Sequence, residues 1–293
     1  MAISDNLRGV IYMNVSMLAF TVNDTFMKAA TQTLPLFQAI SLRGVVSIVA
    51  LLLIARAMGS VRLWPARRDR TVIAWRSLAE VGGTVFFLVA LTHMPLANLS
   101  AIMQVLPLAV ALAAAVFLGV PIGWRRLTAI LVGFVGVMIV IRPGADSFNV
   151  WSMLGLASVV CVVARDLTTR ALSAEVPSTS VSIWAAVTVT LMGLVGAGIE
   201  GWQSVSAREG LLVLGAAAFL IVGYLFSVMV MRVGDIGLIA PFRYTALLWA
   251  ILLGWLAFGA LPDNLTLIGS AIVVASGLFT LWRERALRRV GTV

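Results

Sequence analysis

Two stretches decide the fold: VFLGVPIGWRRLTAILVGFVGVMIVIR at residues 116–142 and WLAFGALPDNLTLIGSAIVVASGLFTLWR at residues 255–283. In each, an apolar run ends at a glycine, Gly119 or Gly259, a proline follows shortly after, and a second apolar run ends at an arginine. A helix needs about 20 apolar residues to cross the hydrocarbon core of a membrane. The layout therefore predicts two pairs of membrane-spanning helices whose matching glycines are 140 residues apart.

The composition of the whole chain agrees with a membrane protein. Of the 293 residues, 61% are hydrophobic and 11% are charged, and the mean hydropathy is +1.05. Soluble domains contain about 45–50% apolar and about 25% charged residues. Lipid must therefore cover the excess apolar surface, which excludes a soluble enzyme, a disordered chain and a secreted disulfide scaffold. The single cysteine, Cys161, permits no disulfide within the chain, and we interpret it as a packing residue.

Glycine, proline and arginine divide the chain into ten apolar stretches that can span a membrane. The predicted spans 1 to 10 are 8–29, 35–56, 71–92, 95–119, 124–142, 150–172, 177–199, 210–232, 234–259 and 264–282. Fourteen of the 21 basic residues lie on one side of these spans, three lie on the other side, and four lie inside spans. The positive-inside rule then predicts that both termini are cytoplasmic. The same bias accounts for the net charge of +9 without a nucleic-acid partner.

The matching stretches predict an internal repeat of five spans, with residues 1–145 as the first unit and residues 146–293 as the second. Because five is odd, the second unit must enter the membrane from the opposite face. The predicted fold is an all-α membrane protein whose ten transmembrane helices form two inverted-topology repeats, a common construction of secondary transporters. The alternative is a chance pattern of glycine and proline in apolar helices.

Several motifs resemble those of a known family. They are DTFMK at 24–28, HMPLA at 93–97, WRR at 124–126, RPG at 142–144 and APFRY at 240–244. Over nearly its whole length the chain resembles the drug/metabolite transporter superfamily in its ten-span EamA-type branch, and it is similar to bacterial amino acid exporters, including exporters of aromatic amino acids. The resemblance implies a central cavity lined by spans 1–4 and 6–9. Val120 and Ala260 stand where the family often has glutamate, so roles of those acids are absent.

Ions inside the spans are expected to be paired or functional, because a charge at bilayer depth costs roughly 2.5–3.5 kcal/mol on insertion scales. The span charges are Arg43, Arg76, Arg165, Arg243, Asp24, Glu80 and Asp166. Arg76 and Glu80 are one helical turn apart, which predicts an ion pair. Arg165 and Asp166 are adjacent, so we expect them to face different helices.

One positive charge is left over, and Arg243 is the best candidate because it lies near the midplane, just after Pro241. An arginine there can bind a substrate carboxylate through two hydrogen bonds. The alternatives are that it binds backbone carbonyls around Pro241 or pairs with Asp24. Asp24 is predicted either to pair with Lys28 or, when desolvated, to carry a proton. The other candidates for ion-pair or proton roles are Arg76, Glu80 and Asp166.

Uncharged polar side chains near mid-depth need a partner on a neighbouring helix or in a wet cavity. The candidate substrate-binding residues are Arg243, Tyr244, Gln104, Asn14, Gln38, Ser41, Trp184 and Tyr224. Gln104 and Tyr244 lie at similar depth on spans 4 and 9, and we place the site there. Trp184 can stack on a planar or cationic substrate.

The sequence lacks a Walker A loop, an HExxH motif, a cysteine–histidine metal cluster and a GxSxG motif, so no enzyme, metal site or cofactor is predicted. We expect a multi-pass secondary transporter of a bacterial inner membrane that moves a small metabolite by alternating access, with amino acid export as the first expectation. One alternative is another metabolite, a vitamin or a drug as cargo; another is a receptor or scaffold without transport. The expected partners are a small-molecule substrate and the lipid bilayer, and the chain is expected to be a monomer or a weak homodimer.

Overall fold

The computed structural model describes residues 5–57, 66–119, 123–142, 150–173, 175–230, 233 and 236–289, and these residues contain helices and no β-strand. The helices are α1 (Asp5–Ala30), α2 (Leu36–Ala57), α3 (Arg67–His93), α4 (Leu96–Met103), α5 (Leu106–Leu118), α6 (Trp124–Ile141), α7 (Val150–Arg170), α8 (Ser178–Glu200), α9 (Ala207–Val230), α10 (Ile236–Ile239), α11 (Thr245–Phe258) and α12 (Asn264–Arg289). A 3-10 segment, Ala240–Tyr244, joins α10 to α11.

Each predicted span corresponds to helical structure at nearly the same place in the chain. Span 4 consists of α4 and α5, span 9 consists of α10, the 3-10 segment and α11, and the other spans are single helices. Nine of these stretches, counted over the described residues, are long and apolar enough to cross a membrane. The remaining one is α1, whose hydropathy is lowered by polar side chains such as Asn14, Asn23 and Asp24. The prediction of an all-α protein with many spans is confirmed.

Four helix pairs make the most extensive contacts: α1 with α9, α3 with α7, α2 with α8 and α6 with α12. Small residues make this close packing geometrically feasible. The aromatic rings of Phe20 and Phe26 on α1 lie over Gly223 and Gly215 on α9, where an added Cβ atom would be 2.7 Å and 3.1 Å from the nearest ring atoms. Such ring-on-glycine contacts hold α1 in the bundle although its own sequence is comparatively polar.

Spans 4 and 9 are both interrupted in mid-course, and both interruptions involve a proline. Helix α4 stops before Gln104, and α5 restarts with Pro107 in its first turn. In span 9, Pro241 lies in the 3-10 segment. Proline has no backbone N–H to donate and its ring crowds the preceding turn, so regular helical hydrogen bonding cannot continue through it. Each interruption frees backbone groups in the middle of the bundle.

The same two spans end in the same way. Gly119 follows α5 with φ of 67°, and Gly259 follows α11 with φ of 64°. Both values lie in the left-handed region, which glycine adopts without a steric penalty and which ends an α-helix. The stretches 116–142 and 255–283 therefore share a helix stop as well as a sequence layout.

Candidate substrate site

Charged side chains of α3 and α7 meet in an ion-pair network inside the bundle. The predicted pair of Arg76 and Glu80 is present, with 3.3 Å between Nη2 and Oε2. The other carboxylate oxygen of Glu80 lies 3.3 Å from Nη1 of Arg165. Glu80 is thus held between two guanidinium groups and is only 13% exposed. Because each of its oxygens lies beside a guanidinium, Glu80 neutralises charge of the protein itself.

The expectation that Arg165 and Asp166 turn to different helices holds for Arg165, which reaches Glu80 on α3, but the two residues also pair with each other. Nε and Nη2 of Arg165 both donate to Oδ1 of Asp166, at 3.0 and 2.9 Å. The long arginine side chain can turn back along its own helix, which adjacency in the sequence does not reveal. Within the described part of the chain, Oδ2 of Asp166 accepts no hydrogen bond, and the side chain is 30% exposed.

A second polar group connects α1 with α2. Nη1 of Arg43 donates to Oδ1 of Asn23 at 3.2 Å, and Nδ2 of Asn23 donates to Oδ1 of Asp24 at 2.9 Å. Arg43 and Asn23 are buried, so the amide of Asn23 relays between the guanidinium and the carboxylate. This arrangement satisfies a buried cation that would otherwise be costly in a low-dielectric interior.

Asp24 does not pair with Lys28, which was one of the two predicted roles. Nζ of Lys28 instead donates to the backbone carbonyl oxygens of Leu91 and Met94, at 2.5 and 2.8 Å. These carbonyls belong to the end of α3, where the last helical carbonyls have no partner within the helix and the helix dipole is negative. Lys28 therefore caps α3 and ties α1 to it.

Tyr224 on α9 stands between the two polar groups. Its ring packs edge-on against Phe20, with 5.6 Å between the ring centroids. Its hydroxyl interacts electrostatically with charged residues of three other helices, namely Arg43, Arg76, Glu80 and Arg165. We define the central polar cluster as Tyr224, its four charged neighbours and four further residues. Its members are Tyr224, Arg43, Arg76, Glu80, Arg165, Asn23, Asp24, Asp166 and Arg243.

Arg243 is the member of this cluster that is most open to a ligand. Many protein atoms surround it, yet its side chain is exposed. Its guanidinium makes neither a hydrogen bond nor an ion pair with any described residue, and its charged neighbours in electrostatic range are Asp166 and Arg165. Neither predicted alternative, binding to carbonyls near Pro241 or pairing with Asp24, is seen. A guanidinium carries five donors, and here they remain available.

Gln104 and Tyr244 are brought together where span 4 meets span 9. Nε2 of Gln104 donates to the backbone carbonyl oxygen of Tyr244 at 3.3 Å. Both side chains are buried, and the ring of Tyr244 lies against Gly277 of α12. The contact joins the two interrupted segments at the carbonyl of Tyr244, the residue that directly precedes α11.

Three other candidates have their polar groups satisfied by the backbone. Gln38 exchanges two hydrogen bonds with the backbone of Gln203, at 2.8 and 3.0 Å, and thereby fixes the connection between α8 and α9 to α2. Asn14 and Ser41 each donate to the carbonyl four residues earlier in their own helix. The structure does not bring these three side chains into the central polar cluster.

Trp184 lies in a groove between α3 and α8. The groove has a volume of about 440 Å³ and is lined by Arg70, Ile73, Ala74, Ser77, Leu78, Val81, Trp184 and Thr188. It reaches the outer surface of the bundle, since Ala74 and Leu78 are exposed. Trp184 is thus placed on a mainly apolar surface rather than among the charged groups.

Asn23, Arg43 and Arg165 belong to the central polar cluster but are absent from the predicted site. All three lie within predicted spans, and Asn23 and Arg165 directly precede an acidic residue. A pair of adjacent polar residues in an apolar span is a usable signal, because both members must find partners away from lipid. The identity of those partners depends on helices that are distant in the sequence.

Comparisons with known proteins indicate a family of transporters. Residues 7–142 match the EamA-like transporter family. The chain is similar to transporters of the drug/metabolite superfamily. A solved crystal structure has the same fold, with a TM-score of 0.67 at 19% identity, covering 93% of this chain and 96% of the other.

Three curated relatives are similar over almost their entire length. A riboflavin transporter from Vibrio cholerae is 26% identical over 97% of this chain and 96% of its own. An S-adenosylmethionine uptake transporter from Rickettsia conorii is 24% identical, with the same two coverages of 97% and 96%. A pseudopaline exporter from Pseudomonas aeruginosa is 24% identical over 92% of this chain and 94% of its own.

These similarities support a multi-pass membrane transporter, with lipid around it and a small molecule as its substrate. They agree with the expectation that the protein is not an enzyme. The three relatives are named for different cargoes, one for uptake and one for export. The similarities therefore leave cargo and direction to be argued from the residues of the site.

Proposed function

We propose that this protein is a secondary transporter of a bacterial inner membrane that moves a small carboxylate-bearing metabolite, with amino acid export as its specific activity. The observation that carries the proposal is Arg243, a deep and accessible guanidinium without a protein partner among the described residues. Arginine binds a carboxylate through two parallel hydrogen bonds, which gives both energy and orientation. A carboxylate is the ligand that this group fits best.

The charge balance of the central polar cluster supports an anionic group in the cargo. The described spans place Arg43, Arg76, Arg165 and Arg243 in the cluster against three acids: Asp24, Glu80 and Asp166. The excess of one positive charge is unfavourable in a bilayer interior. A carboxylate group placed beside Arg243 offsets this positive charge locally.

We also propose that residues 1–145 and 146–293 are inverted repeats and that the site opens alternately to each side. If each span is equivalent to the one five positions later, the pair α1–α9 (spans 1 and 8) is equivalent to α3–α7 (spans 3 and 6). The pairs α2–α8 and α6–α12 are then each equivalent to themselves. These are the four pairs with the most extensive contacts. Exchanging the conformations of two such halves moves the opening of a central site from one face to the other.

The orientation follows from the basic residues. With 14 of 21 on the side of the termini and three on the other side, we place both termini in the cytoplasm. The similar proteins of known name come from bacteria, which agrees with an inner-membrane location.

Solute flux in proteoliposomes tests the proposal. The purified chain is reconstituted and offered a panel of amino acids, other carboxylates and uncharged metabolites. We expect carboxylate transport by the wild type and a loss of at least about tenfold in apparent affinity in Arg243→Ala, because a hydrogen bond to a charged group contributes about 1.5–3 kcal/mol. Arg243→Lys should retain part of the affinity, since it keeps the charge but not the paired donors.

Arg125→Ala is the matched control. Arg125 is an exposed arginine at the start of α6 that stacks on Trp124, outside the central polar cluster. This variant should transport like the wild type. Wild-type carboxylate flux by Arg243→Ala would assign Arg243 a structural role and refute the proposal, and so would the absence of flux for every carboxylate.

A second candidate function is transport of a vitamin-like cargo. It is favoured by the 26% identity with a riboflavin transporter over 97% of this chain. The same flux assay includes riboflavin, and riboflavin transport that is insensitive to Arg243→Ala would favour this function over the first.

A further inference from the structure

Asp166 and Arg243 carry opposite charges and are electrostatic neighbours without being paired. Asp166 is an acid within electrostatic range of Arg243, yet the two side chains form no ion pair. Neither Oδ2 of Asp166 nor the guanidinium of Arg243 has a hydrogen-bond partner among the described residues. Both side chains are accessible, since Asp166 is 30% exposed and Arg243 is exposed.

Unpaired opposite charges are unusual in an interior of low dielectric constant, where they attract each other strongly. Two contacts keep them apart. Arg165 holds Asp166 by two hydrogen bonds along α7. Arg243 lies in the 3-10 segment, whose carbonyl at Tyr244 is held by Gln104. The separation of Asp166 from Arg243 therefore depends on how spans 4, 6 and 9 are packed.

We propose that Asp166 and Arg243 form a receptor for a zwitterion, in which Arg243 binds the carboxylate of an α-amino acid and Asp166 binds its ammonium group. An α-amino acid carries both charges on neighbouring atoms of one small unit, so it fills a gap between a fixed cation and a fixed anion. This inference rests on the proposed function and deepens it, because it names the second charged group that the cargo must carry.

The other acids of the central polar cluster fit this role less well. Both oxygens of Glu80 face arginines. Asp24 interacts with Arg43 and Asn23, and it is not among the charged neighbours of Arg243. Asp166 is thus the acid that combines an available oxygen, an accessible side chain and proximity to the unpaired arginine.

The test uses the full chain in proteoliposomes and matched sets of three compounds: an L-amino acid, the carboxylic acid that lacks its amino group, and the amine that lacks its carboxylate. Competition with a transported amino acid gives an apparent affinity for each compound. For the wild type we expect the amino acid to bind at least about tenfold more tightly than either partial compound.

Two substitutions test the contributions of the acidic and the basic side chain separately. Asp166→Asn should weaken binding of the amino acid at least about tenfold and leave binding of the deaminated acid nearly unchanged. Arg243→Gln should weaken both. Asp166→Glu keeps the negative charge and should retain the preference for the zwitterion. This result would show that Asp166 recognises the ammonium group of the substrate and does not only hold Arg165 in place. Asp263→Asn makes the same acid-to-amide change outside the cluster and should show the same relative affinities for the three compounds as the wild type.

Equal affinity of the wild type for the amino acid and its deaminated acid would overturn the zwitterion receptor while leaving the proposed carboxylate transport intact. An Asp166→Asn variant that weakens both compounds equally would have the same meaning. If no carboxylate is bound or transported by the wild type, both the receptor and the proposed function are wrong. Retention of folded protein in each variant is checked by its elution in size-exclusion chromatography.

Discussion

The crossing of α6 and α12 allows a prediction whose magnitude can be worked from distances. At this crossing Gly136 and Gly269 face each other's backbone. A Cβ atom added to Gly136 would lie 2.8 Å from the carbonyl oxygen of Gly269, and one added to Gly269 would lie 2.6 Å from the carbonyl oxygen of Gly136. Ordinary contact begins at 3.4 Å, so the helices must separate by about 0.6 or 0.8 Å. A backbone oxygen cannot rotate away as a side chain can.

Overpacking of this kind costs about 1–3 kcal/mol. Replacing glycine with alanine inside a helix also stabilises the folded protein by about 0.5–1 kcal/mol. A control variant must carry the same stabilisation. Gly198 on α8 is helical and exposed, and an added Cβ there meets no atom within 4 Å. Gly198→Ala therefore carries the helix gain alone. Relative to it, we expect Gly136→Ala and Gly269→Ala to be less stable by about 1–3 kcal/mol.

Thermal unfolding of the purified protein in detergent measures this difference. At roughly 2–4 °C per kcal/mol for a large domain, the two crossing variants should melt several degrees below Gly198→Ala. The substrate preference of the variants that fold should be unchanged, because α6 and α12 contribute no residue to the central polar cluster. Equal melting temperatures of all three variants would show that α6 and α12 can accommodate a Cβ atom at Gly136 or Gly269 without cost, and would refute the reasoning.

Two further outcomes concern polar contacts away from the proposed receptor. Lys28→Met should lower the melting temperature, because it leaves the carbonyl oxygens of Leu91 and Met94 without their charged donor; Lys28→Arg should restore part of the loss, and a Met variant as stable as the wild type would contradict the capping role. Hydrogen bonds from Arg142 and from the backbone of Thr266 lower the pKa of Asp263 from 3.8 to about 2. Because this pKa is depressed in the folded state, its stabilising contribution is complete above about pH 4 and is lost as the pH falls to about 2. Unfolding curves of the wild type and Asp263→Asn should therefore converge in that window, and a constant difference from pH 6 to pH 2 would exclude the contribution.

Much of the site chemistry was readable from spacing alone. Arg76 and Glu80 pair because residues four apart share a helix face, whatever else surrounds them. Arg243 was identified as the surplus cation by counting charges within the spans. Partners that are far apart in sequence could not be found in this way. Gln38 and Gln203 are 165 residues apart, and nothing in either segment specifies the other. The relay from Arg43 through Asn23 to Asp24 likewise needs α1 and α2 packed side by side.

The sequence by itself determined that the chain is a bundle of membrane-spanning helices and where each one lies, because length and hydropathy set what a bilayer accepts. It also determined the two helix stops at Gly119 and Gly259, since glycine adopts a left-handed φ without strain. Only the tertiary structure decided which charges pair and which remain open. Side-chain length and helix packing turned Arg165 back onto Asp166, directed Lys28 to α3 and left Arg243 without an ion-pair partner among the residues that the structure describes. Those choices depend on distances between helices, which no local pattern encodes.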